Sequence, residues 1–555
     1  MSSQVPESSF EGRGLLRSSS AMALGTSISR VTGVLRDTSA AIALGFFLVA
    51  DAFSLANSLP TILYILVIGG SLNAVFVPQL VRRMKEDPDG GREYANRLLT
   101  ITVSGLVLLT VVAVLCADWI IDLYTPDNYP VAEFNLAVAF ARLCLPQILF
   151  YGLYTMLSQI LNARNVFGWP MFAPIANNVI GIATFLGFTV IAGTSAAADG
   201  VLTPDQVLFL GVGTTLGVVA QAVILIPVLI RAGFRWRWSF RWAGLGRTGS
   251  LAAWTLGLVL VNQVTNLVVI RLAARANVEA TAAGAVNAGF TTYQKAHLIF
   301  LLPHSIITVS LVTALLPALA RTAHDGGFRT VGMHVGQAMR IVTALMIPVA
   351  AILAVCGTDL AIAVFGYGAA TIAQASVLGN VVSVFMIGLI PFTLFYVMLR
   401  GFYAIEDTRT PFLVSVIFSV VWMGLALPIF SLASPGGNQI QALALAYGLA
   451  YWLACGVTWL WLRHRLGTLD SRRTGGVLIR LAIVGFAIVV TMLLLRHALS
   501  ALLLATPLPP QLSAIITMTG VGLVGALLFV ALAHVLRVSE VSSAIMMVRR
   551  KVVRR

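Results

Sequence analysis

Three charged side chains, those of Arg30, Arg36 and Asp37, interrupt the first long apolar stretch of this chain. A charge near the centre of a membrane costs roughly 2.5–3.5 kcal/mol on insertion scales, and such residues usually mark a path for an ion or a substrate. Arginine forms paired, charge-assisted hydrogen bonds with phosphate oxygens. On a helix, Arg30 and Asp37 share one face, whereas Arg36 points about 120° away from Arg30. The spacing therefore predicts a polar cavity beside this stretch, with Arg30 and Arg36 as contacts for an anionic substrate.

Further charged residues of the same kind occur elsewhere in apolar sequence. Lys295 and His297 lie in a later apolar stretch, and Asp51 follows the first stretch at a predicted turn. The whole set is rich in cations and poor in carboxylates. A pyrophosphate group, with about two negative charges, would neutralise several such cations, whereas an exporter of organic cations would need buried carboxylates. We therefore predict Lys295 and His297 as two further substrate contacts.

The sequence carries no motif for catalysis or metal binding. It has no Walker-type glycine loop, no His-Glu-x-x-His motif and no closely spaced cysteine pair. We expect a protein that is not an enzyme and that needs neither a cofactor nor a metal ion.

The composition shows which elements must position these side chains. Of 555 residues, 58% are hydrophobic and only 10% are charged, whereas soluble domains carry roughly 25% charged residues. Uninterrupted apolar runs of about 20 residues predict spanning helices and not a β-barrel. The predicted fold is an all-α polytopic membrane protein of about fourteen transmembrane helices. The spans are expected near residues 22–48, 52–80, 98–121, 132–160, 169–192, 206–230, 250–271, 285–319, 335–356, 373–400, 411–432, 440–462, 477–496 and 511–536.

The net charge of +15 is explained by topology and not by nucleic acid. Lys and Arg concentrate in alternate loops, as cytoplasmic loops do, so we predict an inner-membrane protein with both termini in the cytoplasm and no nucleic-acid partner. The Arg-Trp alternation of 235–242 and the basic tail of 537–555 are expected to contact anionic phospholipids. The basic regions are 81–97, 231–247, 463–473 and 549–555.

The chain also repeats itself at a spacing of about 240 residues. The pattern of residues 71–82 recurs at 310–321, and that of 146–151 recurs at 391–396. This predicts two parallel six-helix repeats followed by two extra helices, with substrate bound between the repeats near mid-membrane. The predicted regions are a cytoplasmic N-terminus (1–20), a first lobe (21–231), an interfacial linker (232–248), a second lobe (249–463), the two extra helices (464–536) and a basic tail (537–555).

The second predicted span contains Pro60, Gly69 and Gly70. Proline removes a backbone hydrogen bond, and glycine lowers helix stability. We predict a hinge at these residues, which would suit lobes that rock between two states.

The segment Ser29–Asp37, followed by Ala50–Phe53, resembles the MviN/MurJ family of lipid II flippases, within the multidrug/oligosaccharidyl-lipid/polysaccharide exporter superfamily. The likeness continues at Leu59-Pro60, Phe76–Pro78 and Asp407–Pro411. It implies a two-lobed, V-shaped transporter that works by alternating access. Its cationic cavity would hold the pyrophosphate and sugar-peptide head of lipid II, and residues 464–536 would form a groove for the polyprenyl tail.

The resemblance also implies roles for single residues. Arg30 and Arg36 match the family's head-group arginines, and Asp37 and Asp51 match acidic positions that serve gating or ion pairing. Cell-wall synthesis proteins are expected as partners besides lipid II.

Three positions depart from the family's pattern. Tyr64 and Leu298 stand where the family has arginines, and Gly69 stands where it has an acidic residue. Lys295, close to Leu298, is a candidate for the missing cation. The alternatives are a flippase for another polyprenyl-linked glycan, such as a teichoic-acid or capsule unit, an exporter of small organic cations, and a membrane scaffold for cell-wall assembly.

Overall fold

A computed structural model describes residues 8–66, 82–83, 86–164, 166–198, 200–240, 249–538 and 540. All regular secondary structure within these ranges is helical, which confirms the predicted all-α class. The helices are α1 (Ser8–Leu44), α2 (Leu48–Tyr64), α3 (Arg92–Leu115), α4 (Ala117–Tyr124), α5 (Val131–Cys144), α6 (Gln147–Ala163), α7 (Gly168–Ala192), α8 (Pro204–Val223), α9 (Leu225–Arg231), α10 (Gly249–Ala282), α11 (Phe290–Pro303), α12 (Val309–His324), α13 (Phe328–Phe365), α14 (Ile372–Ala404), α15 (Arg409–Leu432), α16 (Gly437–Leu466), α17 (Ser471–Leu504) and α18 (Pro510–Val535).

Twelve helical segments in the described part of the chain are long and apolar enough to cross a membrane. They run from α3 to α18 and coincide with the last twelve of the predicted spans. The first two predicted spans correspond to α1 and α2, which are not among the twelve. The total of fourteen therefore stays a prediction. The predicted hinge glycines, Gly69 and Gly70, lie outside the described residues, whereas Pro60 lies inside α2.

The turn between α1 and α2 lies earlier than the sequence predicted. α1 ends at Leu44, Gly45 adopts a positive φ of 59°, and α2 begins at Leu48. Glycine meets little steric resistance in this left-handed conformation, so the chain can reverse there. Asp51 consequently lies in the first turn of α2 and not in the connecting turn. A carboxylate is stabilised at this end of a helix by the partial positive charge of the free backbone N–H groups.

The chain divides into two compact units. Unit 1 contains α1 to α9 and the start of α10 up to Val259, without the short turn Phe46–Leu48. Inside it, α1 packs along α7, and the ring of Phe53 makes edge-to-face contacts with Phe140 and Phe185 at centroid distances of 5.2 and 5.7 Å. Such aromatic pairs add to the apolar packing that holds the helices together.

Unit 2 contains Phe46–Leu48 and the chain from Leu260 onward. Here α13 packs against α14, α17 and α18. Buried apolar residues, among them Leu481, Val484, Ile488 and Phe529, fill the contact of α13 with α17 and α18. The two C-terminal helices are therefore integral parts of this unit.

Ion pairs fix α13 to its neighbours at two levels. Near one end, Arg340 Nη1 lies 2.9 Å from Asp470 Oδ2, and Arg340 Nε lies 3.0 Å from Glu540 Oε1. Near the other end, Arg496 Nε on α17 lies 2.6 Å from Asp359 Oδ2 on α13. The Arg340 side chain is only 5% exposed and also donates to Thr474 Oγ1 at 2.9 Å. A buried guanidinium requires such complete pairing, because its desolvation costs several kcal/mol.

Candidate functional site

The charged segment of α1 is held in place by α7. The amide of Asn178 on α7 donates to the backbone carbonyl of Ser29 and to Thr32 Oγ1, each at 3.0 Å. Residues 29, 32, 33 and 36 lie on one face of a helix, and this is the face that meets α7. A polar contact of this kind inside a helix pair fixes the rotation of α1, and with it the directions in which its charged side chains point.

Arg36 lies at the edge of this contact. A Cβ atom built on Gly181 of α7 would come within 2.8 Å of Arg36 Cδ, so the aliphatic stem of Arg36 rests on the bare backbone of Gly181. The side chain of Arg36 is 33% exposed, and its Nη2 lies 3.8 Å from Asp37 Oδ1. That distance is too long for a hydrogen bond. Among the described residues, no carboxylate lies within hydrogen-bonding distance of Arg36.

The other charged residues of unit 1 differ in burial. Arg30 is exposed, whereas Asp37 and Asp51 are buried. Asp51 lies near Tyr129, in the loop before α5, and burial together with the charges of Asp51 and Glu133 raises the pKa of the Tyr129 hydroxyl. The predicted face that joins Arg30 to Asp37 thus runs from the surface of unit 1 into its interior.

Lys295 and His297 both lie on α11 in unit 2. Lys295 is half-buried. His297 Nε2 lies 3.2 Å from the Tyr447 hydroxyl, and the His297 ring packs against Tyr293 and Phe385 at centroid distances of 6.1 and 5.6 Å. These contacts are those of a packed core residue, and the contact of His297 with substrate stays a prediction.

A second cationic group in unit 2 escaped the sequence analysis. Arg400 on α14 stacks over the rings of Tyr396 and Tyr403, at 4.4 and 5.6 Å from their centroids, and its Nη2 donates to the Tyr396 hydroxyl. The buried ring of His304 lies 4.7 Å from that of Tyr396, in a π-helical turn (His304–Thr308) between α11 and α12. Arg400 was missed because it falls at the boundary of its predicted span, where an arginine is ordinary. The tyrosines four residues before it and three after it were the available signal.

Comparison with known proteins identifies the family. The sequence profile described as "Lipid II flippase MurJ" matches residues 40–510. The chain is 29% identical to the probable lipid II flippase MurJ of Rhizobium meliloti (strain 1021) over 415 residues, 74% of each chain. It is 28% identical to that of Rhizobium tropici over 519 residues, 91% of this chain and 90% of the relative. The resemblance noted in the sequence is confirmed, although Arg30, Arg36 and Asp37 lie just before the matched residues.

Two solved structures share the fold. A lipid II flippase MurJ in an inward closed conformation superposes with a TM-score of 0.67 at 20% identity and covers 92% of this chain and 98% of its own. An inward-facing multidrug-resistance MATE transporter of the MOP superfamily gives a TM-score of 0.60 at 16% identity, with 81% and 99% covered. At these identities the structures establish the architecture alone, whereas the sequence profile covers most of the chain. This protein therefore belongs to the MurJ family of lipid II flippases.

Proposed function

We propose that this protein moves lipid II, the undecaprenyl-pyrophosphate-linked precursor of peptidoglycan, from the cytoplasmic to the outer leaflet of the bacterial inner membrane by alternating access. The observation that carries this proposal is Arg36. In a member of the MurJ family, it is a partly exposed guanidinium in an apolar helix, without a described carboxylate in hydrogen-bonding distance. An anionic cargo supplies the partner that such a group needs.

The chemistry required is binding and release, since no covalent bond of the cargo changes. Arg36 and Arg30 would donate to the pyrophosphate oxygens, and Lys295 with His297 would contact the same head group from unit 2. Asp37 and Asp51 would compete for the cations when the cargo has left, which is a gating role. Pro60, with Gly69 and Gly70, would let the second span bend. The extra helices would hold the polyprenyl tail.

The proposal extends to topology and surroundings. The basic loops and tail place both termini in the cytoplasm, and anionic phospholipids would line them. Cell-wall synthesis proteins that make or consume lipid II are the expected protein partners.

Reconstitution tests the function directly. The purified chain is placed in vesicles that contain fluorescent lipid II, and an added membrane-impermeant quencher reports the outward-facing fraction. We expect the accessible fraction to rise with time in protein-containing vesicles and to stay constant in empty ones. A parallel assay uses a polyprenyl-linked teichoic-acid unit. Transport of that lipid without transport of lipid II would overturn the proposal in favour of another glycan.

The position of Arg36 can be disturbed without removing it. In Gly181→Ala, the new methyl group would clash with the Arg36 stem, so the guanidinium must shift. We expect flipping to fall about tenfold, because misplacing a binding group is costly, while unfolding changes by less than about 1.5 kcal/mol. The matched control is Gly105→Ala on α3, where a Cβ meets nothing within 4 Å. Equal activity of the two variants would show that the seat of Arg36 is unimportant.

A further inference from the structure

A polar cavity of about 680 Å³ lies in unit 1, away from the α1–α7 contact. One wall is the beginning of α3, which contributes Arg92 and Asn96. The other wall is the segment after α9, residues 233–240, here called the Arg-Trp segment, which contributes Arg235 and Arg237. The cavity is thus enclosed by two parts of the chain that are far apart in sequence.

Specific hydrogen bonds hold the two walls together. The backbone N–H of Arg237 donates to Asn96 Oδ1 at 2.9 Å, and that of Ser239 donates to Thr100 Oγ1 at 3.1 Å. The indole N–H of Trp236 reaches the same Thr100 hydroxyl at 3.3 Å. The Arg-Trp segment has no regular secondary structure, so these bonds to α3 define its course. They make the cavity a built feature of the fold.

The charge inside the cavity is not balanced. Three arginines, Arg92, Arg235 and Arg237, line it together with the acids Asp89 and Glu93. Both carboxylate oxygens of Asp89 accept backbone N–H groups at the start of α3, at 2.9 and 2.7 Å. Glu93 pairs with Arg97, one turn along the helix. Within the described part of the chain, none of the three arginines has a carboxylate at ion-pair distance. The cavity therefore carries an excess of positive charge.

A fourth cation lies behind the cavity. Arg164, just after α6, donates from Nη1 to the carbonyl of Ala232 at 2.9 Å and stacks over Phe234 at 5.4 Å. Burial and the nearby charge of Arg92 lower the pKa of Arg164. A neighbouring cation that disfavours protonation of an arginine is the expected effect of uncompensated positive potential, and an anion would relieve it.

The surroundings of the cavity indicate where that anion comes from. The rings of Trp236, Trp238 and Phe240 form a continuous stack, with centroid distances of 4.4 and 6.0 Å. Trp238 and Phe240 are 60% and 63% exposed. Exposed tryptophan next to arginine is typical of the membrane interface, and Arg92 is the first residue of a helix apolar enough to span. These features place the arginines at the depth of lipid phosphates.

We propose that this cavity is a binding site for the phosphate head group of an anionic phospholipid. The arginines donate to the phosphate oxygens, and the aromatic stack lies along the glycerol and upper acyl region. A bound lipid would join the start of α3 to the segment that leads toward α10. The occupant is a membrane lipid and not a soluble phosphate, because the exposed aromatic rings have no role toward an ion from water.

The test is a lipid titration of the full chain in detergent. Phosphatidylglycerol is added, and bound lipid is counted by native mass spectrometry. The variant is Arg235→Gln with Arg237→Gln. The control is Arg231→Gln with Arg329→Gln, which removes the same charge from exposed residues that do not line the cavity. Each basic residue near an anionic lipid contributes about a factor of five, so we expect the cavity variant to bind about 20-fold more weakly and the control to bind like the parent.

Further arms keep the result decisive. Phosphatidylcholine should bind weakly in all proteins, and millimolar inorganic phosphate should not displace phosphatidylglycerol. Thermal melts without added lipid verify folding. If the double variant does not fold, Arg92→Gln replaces it, with an expected loss of about fivefold. Equal losses in variant and control, no loss in either, or displacement by inorganic phosphate would each overturn the proposal.

Discussion

Replacing Arg36 with glutamine should remove at least 99% of lipid II transport while leaving the protein folded in the membrane. Arg36 is the partly exposed cation of α1 that has no described carboxylate within hydrogen-bonding distance. A bidentate, charge-assisted contact with a pyrophosphate is worth about 3 kcal/mol, which corresponds to roughly a 100-fold loss. Arg36→Lys should retain part of the activity, since lysine keeps the charge but not the planar fork. Growth of cells depleted of their own flippase, with lipid II exposure at the outer surface, measures the effect.

A neighbouring arginine provides the matched control for this experiment. Arg142 also lies in an apolar helix, but its Nη2 pairs with Asp118 Oδ2 at 2.7 Å, and both side chains are more than half exposed. Such a pair contributes less than about 1 kcal/mol, so Arg142→Gln should support growth. Full complementation by Arg36→Gln and by Arg30→Gln would leave the proposed head-group site without its cations, and the proposal would have to be abandoned.

The second large effect is on stability. Arg340→Ala should destabilise the protein by about 3–5 kcal/mol, because it leaves two carboxylates without their shared cation. Glu540 has a side chain that is only 8% exposed, so water cannot replace the lost partner. Thermal unfolding in detergent, followed by tryptophan fluorescence, should show a clearly lower Tm than that of the parent.

Two comparisons identify the cause of that loss. Arg275→Ala breaks a largely exposed pair with Glu279, one turn away on α10, and should cost no more than about 0.5 kcal/mol. A combined Arg340→Met, Asp470→Asn and Glu540→Gln variant removes all three charges and should recover much of the stability. If Arg340→Ala melted like Arg275→Ala, the buried cluster would not be important for the fold.

The sequence predicted the parts of this structure that depend on local composition. The last twelve spans were located because each is a run of apolar residues long enough to cross a membrane. The start of α2 was placed several residues late, because an apolar run continues across the turn at Gly45 and hydrophobicity alone does not show where a helix ends.

The candidate site was less predictable, because partners come from distant parts of the chain. Arg36 was recognised as a charge in an apolar helix, but its seat on Gly181 could not be foreseen, since glycine carries no chemical signal. His297 was read as a cation, whereas the structure places it among aromatic rings from three helices. The pairing of Arg340 with Asp470 and Glu540 joins residues 130 and 200 positions apart, which no local pattern specifies.

The two ion-pair levels on α13 have a mechanical consequence. Arg340 and Asp359 are about 28 Å apart along the helix axis, close to the thickness of the hydrocarbon layer. A helix that is fastened at both rims of the bilayer cannot slide or tilt against its neighbours without breaking a pair at one rim. α13, α17 and α18 should therefore move as one rigid body. Any deformation within unit 2 during a transport cycle has to be absorbed by its other helices, where the π-helical turn at His304–Thr308 offers a weaker backbone.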